Sequence, residues 1–527
     1  MESFGWLAGR KRLFTDETEV TSQNVVRILQ KAVSDNSVNV QTIRFLLEYE
    51  KGNQPLQRKK EIRPEIDIQV CDNLANEITE FKIGYQWGNP ITYIQRGNRD
   101  IHGNDTAKDD EAISYLNEML EDEFSFAKDQ ELARYVEICG IGYQMVDIKR
   151  DFEGGSVFDL ITLDPLCTFI VYDHSVWQKP IMAVTFRQQE NGEVYYTCIS
   201  DNAVYTVKNS SIVGEDGKPV DTWEQYDSGN THRSGEMNPL EKINIIEFQR
   251  SYDRMGCFER QISDLDNLNI LVSDFSNNVA QDTQSVWWGN DFDFPEDEKG
   301  NSKTPSSGQW VMTYSGEKKN PKIQALSVQI QYSGILESIR TRRDTIKQKC
   351  NVPLQTEPGG GSTGTAMSMS SGWQAAEVAA SKEEQIVRKG KMQIADLILR
   401  AIKRSPDLPA DSPMLTLNLS DIKVSIVRNR TYDMITKANA FATWVSHGIN
   451  GRHALQQVEA FPDSNLVWND SKELVEKYQK SLFEKKESTG SETNRLQADQ
   501  SDQISNSPIT DGINTGTKPK DIKGGDE

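Results

Sequence analysis

Few residues in this chain of 527 have types and spacings that could support catalysis or ligand binding. The glycine-rich run GGGSTGT, at residues 359–365, contains no lysine that could reach a phosphate, so it does not match a nucleotide-binding loop. The five histidines are scattered, and the nearest two, His447 and His453, are six positions apart. That spacing does not place two imidazoles on one face of a helix, so it does not predict a metal site.

The acidic residues near the middle of the chain do not form a catalytic pair either. Asp291, Asp293 and residues 296–298 lie in a polar segment, where carboxylates are typically solvated. The letters GGSTG at residues 360–364 match the G-x-S-x-G pattern of a nucleophilic serine, but the run does not sit between a strand and a helix in the needed order, so no such nucleophile is predicted. We therefore predict a protein that is not an enzyme and that holds no metal and no cofactor.

Three basic residues form a more suggestive pattern. Arg340, Arg343 and Lys347 recur at spacings of three and four, which places them in one stripe on a helix, opposite its apolar residues. Two interpretations are open. The stripe is either an ordinary solvated face or, if many copies of the chain pack around an axis, a ring of positive charge that tunes the field inside a channel.

The overall charge limits the possible partners. The chain has 79 Asp and Glu residues against 59 Lys and Arg, a formal net charge of −20. Such a surface repels a phosphate backbone, so sequence-specific nucleic-acid binding is disfavoured as the main activity. The six cysteines are far apart and none forms C-x-x-C, which argues against a disulfide framework and a zinc ribbon.

The chain also has no sequence signal for a membrane. No apolar stretch approaches the roughly 20 residues that span a bilayer. The first residues, MESFGWLAGRKRLF, lack the apolar segment and cleavage site of a secretory signal. We therefore expect a protein that is made and used in a cytosol, without a membrane partner.

The hydrophobic pattern of the first half predicts an α+β unit. Apolar spacing predicts one helix that ends near Gly84 and a second over residues 109–137. Residues 142–248 then alternate with period two, in short runs such as TFIVYD separated by turn residues. This alternation predicts a largely antiparallel sheet.

Helical spacing returns in the second half. Apolar residues from Phe258 to Val279 take six steps over 21 positions, a mean of 3.5, which predicts a long helix with a narrow apolar seam. Residues 287–322 predict a small β excursion, followed by long helices over about 328–349 and 373–404. The runs MLTLNL and DIKVSIVRN predict a short strand pair. The polar residues after about 487 predict disorder.

The order of these parts resembles the portal, or head–tail connector, proteins of tailed bacteriophages, in particular those of long-tailed phages of Gram-positive hosts. The segments VCDNLANEITEFKIGYQWGNPITY and ARYVEICGIGYQMVDI are similar to the family's helix, turn and strand successions. NPLEKINIIEFQRSYDRMGCFERQISDLDNLNILVSDFSNNV is similar to its strand ahead of a long helix, and VRNRTYDMITKANAFATWVSHGINGRHALQQVEAFPD to its helical ending. The similarity covers roughly residues 67–485.

This resemblance implies a portal fold with a β-rich wing, long stem helices, a small β-containing clip and a helical crown. The implied boundaries are an N-terminal extension at 1–60, the wing at 61–255, a stem helix at 256–286, the clip at 287–326, a second stem helix at 327–350, a tunnel-loop region at 351–372, a long helix at the wing–crown junction at 373–414, the crown at 415–486 and a disordered tail at 487–527.

The resemblance also implies roles for particular residues. The DNA-channel candidates on the second stem helix are Arg340, Arg343 and Lys347. The tunnel-loop candidates are Gly359, Gly360, Gly361, Ser362, Thr363 and Gly364. The clip aromatics, which are either buried between subunits or presented to partner proteins, are Trp287, Trp288, Phe292 and Phe294.

By the same resemblance, the chain forms a ring of twelve subunits at one vertex of the virion capsid, after assembly in the host cytoplasm. The resemblance implies that the ring is a channel through which double-stranded DNA passes, without sequence specificity, during packaging and ejection. The implied partners are the terminase large subunit, a head–tail adaptor protein, the major capsid protein and a scaffolding protein. Two other interpretations stay open: another virion component of the neck or baseplate, and a DNA-acting enzyme that uses the glycine-rich and acidic segments.

Overall fold

The computed structural model describes residues 9–56, 66–96, 109–149, 154–208, 211–213, 236–282, 286–291, 309–313, 321–326, 332–354, 372–428 and 434–458, and a few positions between 461 and 477. Helices and several small sheets alternate within these ranges, which confirms the α+β class.

The first described elements are a short strand and a long helix that the sequence pattern did not reveal. Strand β1 is Leu13–Thr15 and helix α1 is Val25–Glu50. β1 pairs in parallel with β5 (Thr168–Asp173), and the N-terminal half of α1 packs against the same sheet. The segment assigned above to an N-terminal extension therefore contributes a strand, a helix and buried side chains to the folded core.

The single helix predicted over residues 109–137 is two helices, α3 (Asp109–Asp122) and α4 (Ser125–Cys139). Phe124, between them, has a φ of 51°, in the left-handed region that ends helices. The break brings the buried Glu123 carboxylate against the ammonium groups of Lys128 (2.8 Å) and Lys149 (3.1 Å). The apolar spacing continues across the break, so it could not reveal these polar contacts.

Two sheets organise the β-rich half of the chain. Strands β3 (Ile141–Ile148), β4 (Phe158–Leu163) and β11 (Ile245–Gln249) form a three-stranded antiparallel sheet in the order β11-β3-β4. A seven-stranded sheet contains β1, β5, β6 (Pro180–Gln188), β7 (Val194–Ile199), β8 (Ala203–Lys208), β9 (Ser211–Val213) and β10 (Glu236–Met237). Its order is β1-β5-β6-β7-β8-β10, with β9 also on β8.

The second half contains the long helices. They are α5 (Ile262–Asp282), α6 (Tyr332–Lys349) and α7 (Trp373–Arg404). Between α5 and α6 lie β12 (Val286–Asn290), β13 (Gln309–Thr313) and β14 (Lys322–Leu326). β12 is the central strand, parallel to β13 and antiparallel to β14.

The predicted strand pair after α7 does not form. Pro413–Thr416 is a short 3-10 helix, which begins at a proline, a residue that suits the first turn of a helix. Strand β15 (Ile422–Ser425) does lie in the second predicted run, but its antiparallel partner is β2 (Thr92–Gln95), from the first half of the chain. The remaining elements are α2 (Leu74–Gln86), α8 (Met434–Ser446) and α9 (Gly451–Val458).

Three buried clusters hold these elements together. One joins α7 to α3, α4 and the sheet of β3, β4 and β11, and another lies between α1 and the seven-stranded sheet. The third joins α1, α2 and α4 to the beginning of α5, through Leu265 and Leu268, and to the end of α6, through Ile346. Each of these two long helices is therefore anchored in the core at one end.

Candidate functional site

The chain enters α5 through a close crossing of two backbone segments. The N–H of Cys257 donates to the carbonyl oxygen of Glu137, in the last turn of α4 (2.7 Å). A Cβ atom at Gly256 would overlap the carbonyl oxygen of Ile138. Gly140, with a φ of 76°, adopts the left-handed conformation that favours glycine. Gly140 and Gly256 therefore set the place where α5 leaves the core.

A buried ion pair braces this crossing from the N-terminal side. The side chain of Arg10 is 0% exposed and pairs with Glu259, which is 1% exposed. Arg10 also donates from Nη1 to the carbonyl oxygen of Cys139 (3.0 Å), and Glu259 accepts from the N–H of Gly256 (2.8 Å). The segment before β1 is thus tied to the entrance of α5.

A second buried network, on the side of α7, stabilises the same backbone crossing. Arg250 lies between Glu137 of α4 and Glu383 of α7; its Nε donates to Glu137 (2.9 Å) and its Nη2 to Glu383 (2.5 Å). Burial raises the pKa of Glu383, and the neighbouring Glu137 carboxylate raises it further. These three side chains fasten α4 and α7 to the strand that leads into α5.

The raised pKa of Glu383 predicts how one substitution changes the pH dependence of stability. The carboxyl group of Glu383 binds its proton more tightly in the folded protein than in the unfolded protein. Glu383 therefore makes the free energy of unfolding fall as the pH rises above 4.5, the ordinary pKa of a glutamate. Glu383→Gln removes that contribution. We therefore expect the stability of the variant, relative to the parent protein, to increase with pH in denaturant titrations from pH 4.5 upward.

Glu123→Gln is the control of opposite sign. Although burial alone would raise the pKa of Glu123, its hydrogen bonds to Lys128, Leu160 and Lys149 outweigh burial and lower it. Its contribution to stability is therefore present above the ordinary pKa and is lost as the pH falls. If both variants change the free energy of unfolding by the same amount at every pH, burial does not raise the pKa of Glu383.

The two long helices α5 and α6 run antiparallel. The rings of Phe275, late in α5, and Tyr332, at the start of α6, meet edge to face with centroids 6.0 Å apart. At the anchored end, Lys349 of α6 pairs with Asp264 of α5 (2.5 Å). Away from the core the pair leaves apolar side chains uncovered, with Val279 38% and Leu336 50% exposed.

The three basic residues predicted to share one stripe all lie on α6, but they differ in their ion pairs. Arg340 is exposed, and it makes no ion pair within the part of the chain that the structure describes. Arg343 pairs with Asp72 and with Glu77, and Lys347 pairs with Glu77. Two of the three positive charges are therefore matched by acids at the start of α2, and the role of all three in a DNA channel stays a prediction.

A polar stripe on α5 was missed by the sequence reasoning. Asn269, Ser273 and Asn277 are four positions apart and only 3%, 0% and 1% exposed. Their side-chain oxygens accept hydrogen bonds from backbone N–H groups of the extended segment 66–72. The spacing of small polar residues beside the apolar seam was a signal for the stripe, but no pattern indicated what it binds.

The predicted β excursion forms the three-stranded sheet of β12, β13 and β14. Trp288 is part of β12, and its indole N–H donates to the hydroxyl of Thr313 (3.0 Å). That hydroxyl donates in turn to Asn290 (2.7 Å). Phe292, Phe294 and the side chain of Trp287 lie outside the described residues, so partner binding by these aromatics stays a prediction.

The residues predicted as a tunnel loop, Gly359 to Gly364, also lie outside the described residues. The chain on either side of them borders a cleft of about 1060 Å³. Asn351 after α6 and Gln374 at the start of α7 both line it, together with Tyr252 and Val378, which are 90% and 53% exposed. The described residues that flank the predicted loop region thus lie beside this cleft.

The described residues contain no group of three or more His, Cys, Asp or Glu side chains arranged to hold a metal ion. Among the same residues, no helix combines the length and the apolar character that a membrane span requires.

Comparisons with known proteins give one family. A family model described as "Phage portal protein, SPP1 Gp6-like" matches residues 30–490 of the 527, well over half of the chain. No curated protein matches the sequence.

Proposed function

The chain belongs to the family of SPP1 Gp6-like phage portal proteins, and we propose that it forms a closed ring at one vertex of the capsid, with a central channel for double-stranded DNA. DNA enters through this channel during packaging and leaves through it at ejection. Phage portal proteins are structural virion components, so the packaging ATPase is a separate partner.

One structural observation carries the proposal beyond family membership. The antiparallel helices α5 and α6 are anchored in the core at one end and are joined at the other end by the strands β12 to β14. Val279 and Leu336 are uncovered on them. A ring requires two different surfaces on each subunit that pack head to tail, and uncovered apolar residues on a projecting helix pair suit such packing.

The charge of the chain supports passage of DNA rather than tight binding. A net charge of −20 gives a wall that does not retain the phosphate backbone. Within the channel, Arg340 is the candidate for proximity to DNA, because Arg343 and Lys347 are already paired with acids of the same chain. The tunnel-loop residues Gly359 to Gly364 follow α6 and are proposed to approach the duplex.

The sheet of β12, β13 and β14 is the proposed clip. It follows α5 directly and precedes α6, so it projects from the end of the helix pair that is not anchored in the core. We propose that the terminase large subunit docks there during packaging and a head–tail adaptor afterwards. The major capsid protein and a scaffolding protein are the proposed partners during assembly in the host cytoplasm.

Ring formation is tested by the mass and shape of the purified full-length protein. Native mass spectrometry and negative-stain electron microscopy are expected to show a closed ring of about twelve subunits with a central hole; the count is taken from the family resemblance. A monomer, trimer or hexamer without a hole contradicts the proposal.

A matched pair of variants tests the contact surface. Leu336→Asp would bury an unpaired carboxylate in the subunit contact, which costs free energy of association. We expect the ring fraction to fall by about tenfold or more, which corresponds to a cost of about 1.4 kcal/mol or more. Val38→Asp is the control, because Val38 is similarly exposed, at 53%, but lies on α1. Rings that assemble equally well in both variants exclude Leu336 from the subunit contact.

A further inference from the structure

An extended segment, residues 66–72, lies along α5 and, within the described part of the chain, is held by side chains rather than by a neighbouring strand. Asn277 accepts a hydrogen bond from the N–H of Ile68 (2.8 Å) and donates one to the carbonyl oxygen of the same residue (3.0 Å). Ser273 accepts from the N–H of Val70 (3.0 Å). We call residues 66–72 the clasp.

A third contact continues the same pattern. Asn269 accepts from the N–H of Asp72 (2.9 Å), so side chains four apart on α5 meet residues two apart on the clasp. Four helical residues advance about 6.0 Å and two extended residues about 6.6 Å, so the two series stay in register over three contacts. We call Asn269, Ser273 and Asn277 the ladder.

The end of the clasp is fastened to the other long helix. Arg343 of α6 pairs with both carboxylate oxygens of Asp72, and its Nη2 pairs with Glu77 in the first turn of α2 (2.9 Å). Lys347, one turn further along α6, pairs with Glu77 as well. The clasp thus lies on α5 and is tied by charge to α6.

The contacts of the clasp are mostly polar. Ile68 is 41% exposed, and the side chains of Asp67 and Gln69 are also exposed. The ladder side chains beneath are buried but polar. When the clasp lifts, water can replace most of the hydrogen bonds that are lost. The apolar side chains that are uncovered are the buried Ile66 and the half-buried Val70 and Cys71.

We propose that the clasp is a latch that opens as one unit while α5 and α6 stay folded, and that in its closed position it fixes these two helices relative to each other. Opening breaks the three ladder contacts and the ion pair between Asp72 and Arg343. The inference concerns the single chain and does not depend on ring formation.

Hydrogen–deuterium exchange of the full-length protein, resolved to single amides, tests the latch. Asn277→Ala removes the acceptor of the Ile68 amide and leaves the acceptors of Val70 and Asp72 in place. If the clasp opens as a unit, all three amides exchange faster, by about two- to tenfold, because the opening equilibrium they share has shifted.

The neighbouring substitution Asn278→Ala is the control, since it makes the same change on the same helix at the next position, outside the ladder. We expect it to leave the exchange of the clasp amides unchanged. Faster exchange at Ile68 alone overturns the proposal, because the contacts are then independent. Equal acceleration along α5 overturns it as well, because the helix rather than the clasp is then opening.

The contact with α6 is tested separately. Arg343→Gln is expected to speed exchange across the clasp by a similar factor, and this effect should shrink in 1 M salt, where charges are screened within about 3 Å. Arg342→Gln is the matched control, because Arg342 makes no ion pair with the residues that the structure describes. The same exchange rates in both variants exclude the link to α6.

Discussion

Replacing Arg250 with methionine is expected to lower the free energy of unfolding by about 3–5 kcal/mol, the cost of breaking a buried ion pair from one side. The substitution leaves the carboxylates of Glu137 and Glu383 in an interior where they are 1% and 11% exposed, without the guanidinium that now joins them. Without the guanidinium, burial and the neighbouring Glu137 carboxylate favour the protonated form of Glu383 more strongly. Denaturant titration at neutral pH measures the loss.

The loss should depend on pH in a definite direction. In the variant, the carboxyl group of Glu383 binds its proton more tightly in the folded state than in the unfolded state. The difference in free energy of unfolding between parent and variant is therefore smallest near the ordinary glutamate pKa of 4.5 and grows as the pH rises. Arg400→Met is the matched control, since Arg400 is 40% exposed and pairs with Asp396 (3.2 Å), which limits its loss to at most about 1 kcal/mol. Equal losses in the two variants contradict the network described.

The long helices were predictable because their signal is local. The apolar spacing from Phe258 onward indicated α5, and the short aromatic runs after Trp287 indicated strands, since helix and strand periods are properties of neighbouring residues. Helix α1 was missed although Ile28, Leu29 and Ala32 are buried along it. Its hydrophobic face contains Asn36 and Asn39, buried polar residues that interrupt the apolar pattern.

The partners of charged and polar side chains were not predictable, because they are distant in sequence. The spacing of Arg343 and Lys347 correctly placed both on one helix, but their acids, Asp72 and Glu77, belong to the first quarter of the chain. The same holds for the pair of Arg10 and Glu259. Sequence spacing gives the face of a helix on which a charge lies and gives no information on what the fold brings against it.

The crossing at the start of α5 and the clasp act on the same helix in different ways. The crossing is tightly packed and held by buried charges, so the first turns of α5 are rigidly placed. The clasp contacts a later part of α5 through hydrogen bonds between its own backbone and the buried polar side chains of the ladder. Any movement of α5 relative to α6 is therefore easier where the clasp lies than at the crossing.

Gly256→Ala should have an effect on stability as large as that of Arg250→Met. The added methyl group would overlap the carbonyl oxygen of Ile138, and the backbone cannot easily move because Cys257 donates to Glu137 at 2.7 Å. Overpacking typically costs about 1–3 kcal/mol, and a clash with a backbone oxygen that cannot easily move places this substitution at about 3 kcal/mol, the upper end of that range. We expect a lower denaturation midpoint and, at 37 °C, a smaller soluble fraction.

Gly84→Ala is the control, because it makes the same chemical change inside a helix. Gly84 lies in α2, and a Cβ there meets no atom within 4 Å. Alanine should therefore stabilise the protein by about 0.5–1 kcal/mol, since glycine loses more backbone freedom in a helix. The two Gly→Ala substitutions thus have opposite expected signs. If Gly256→Ala is as stable as the parent protein, the close crossing does not set the position of α5.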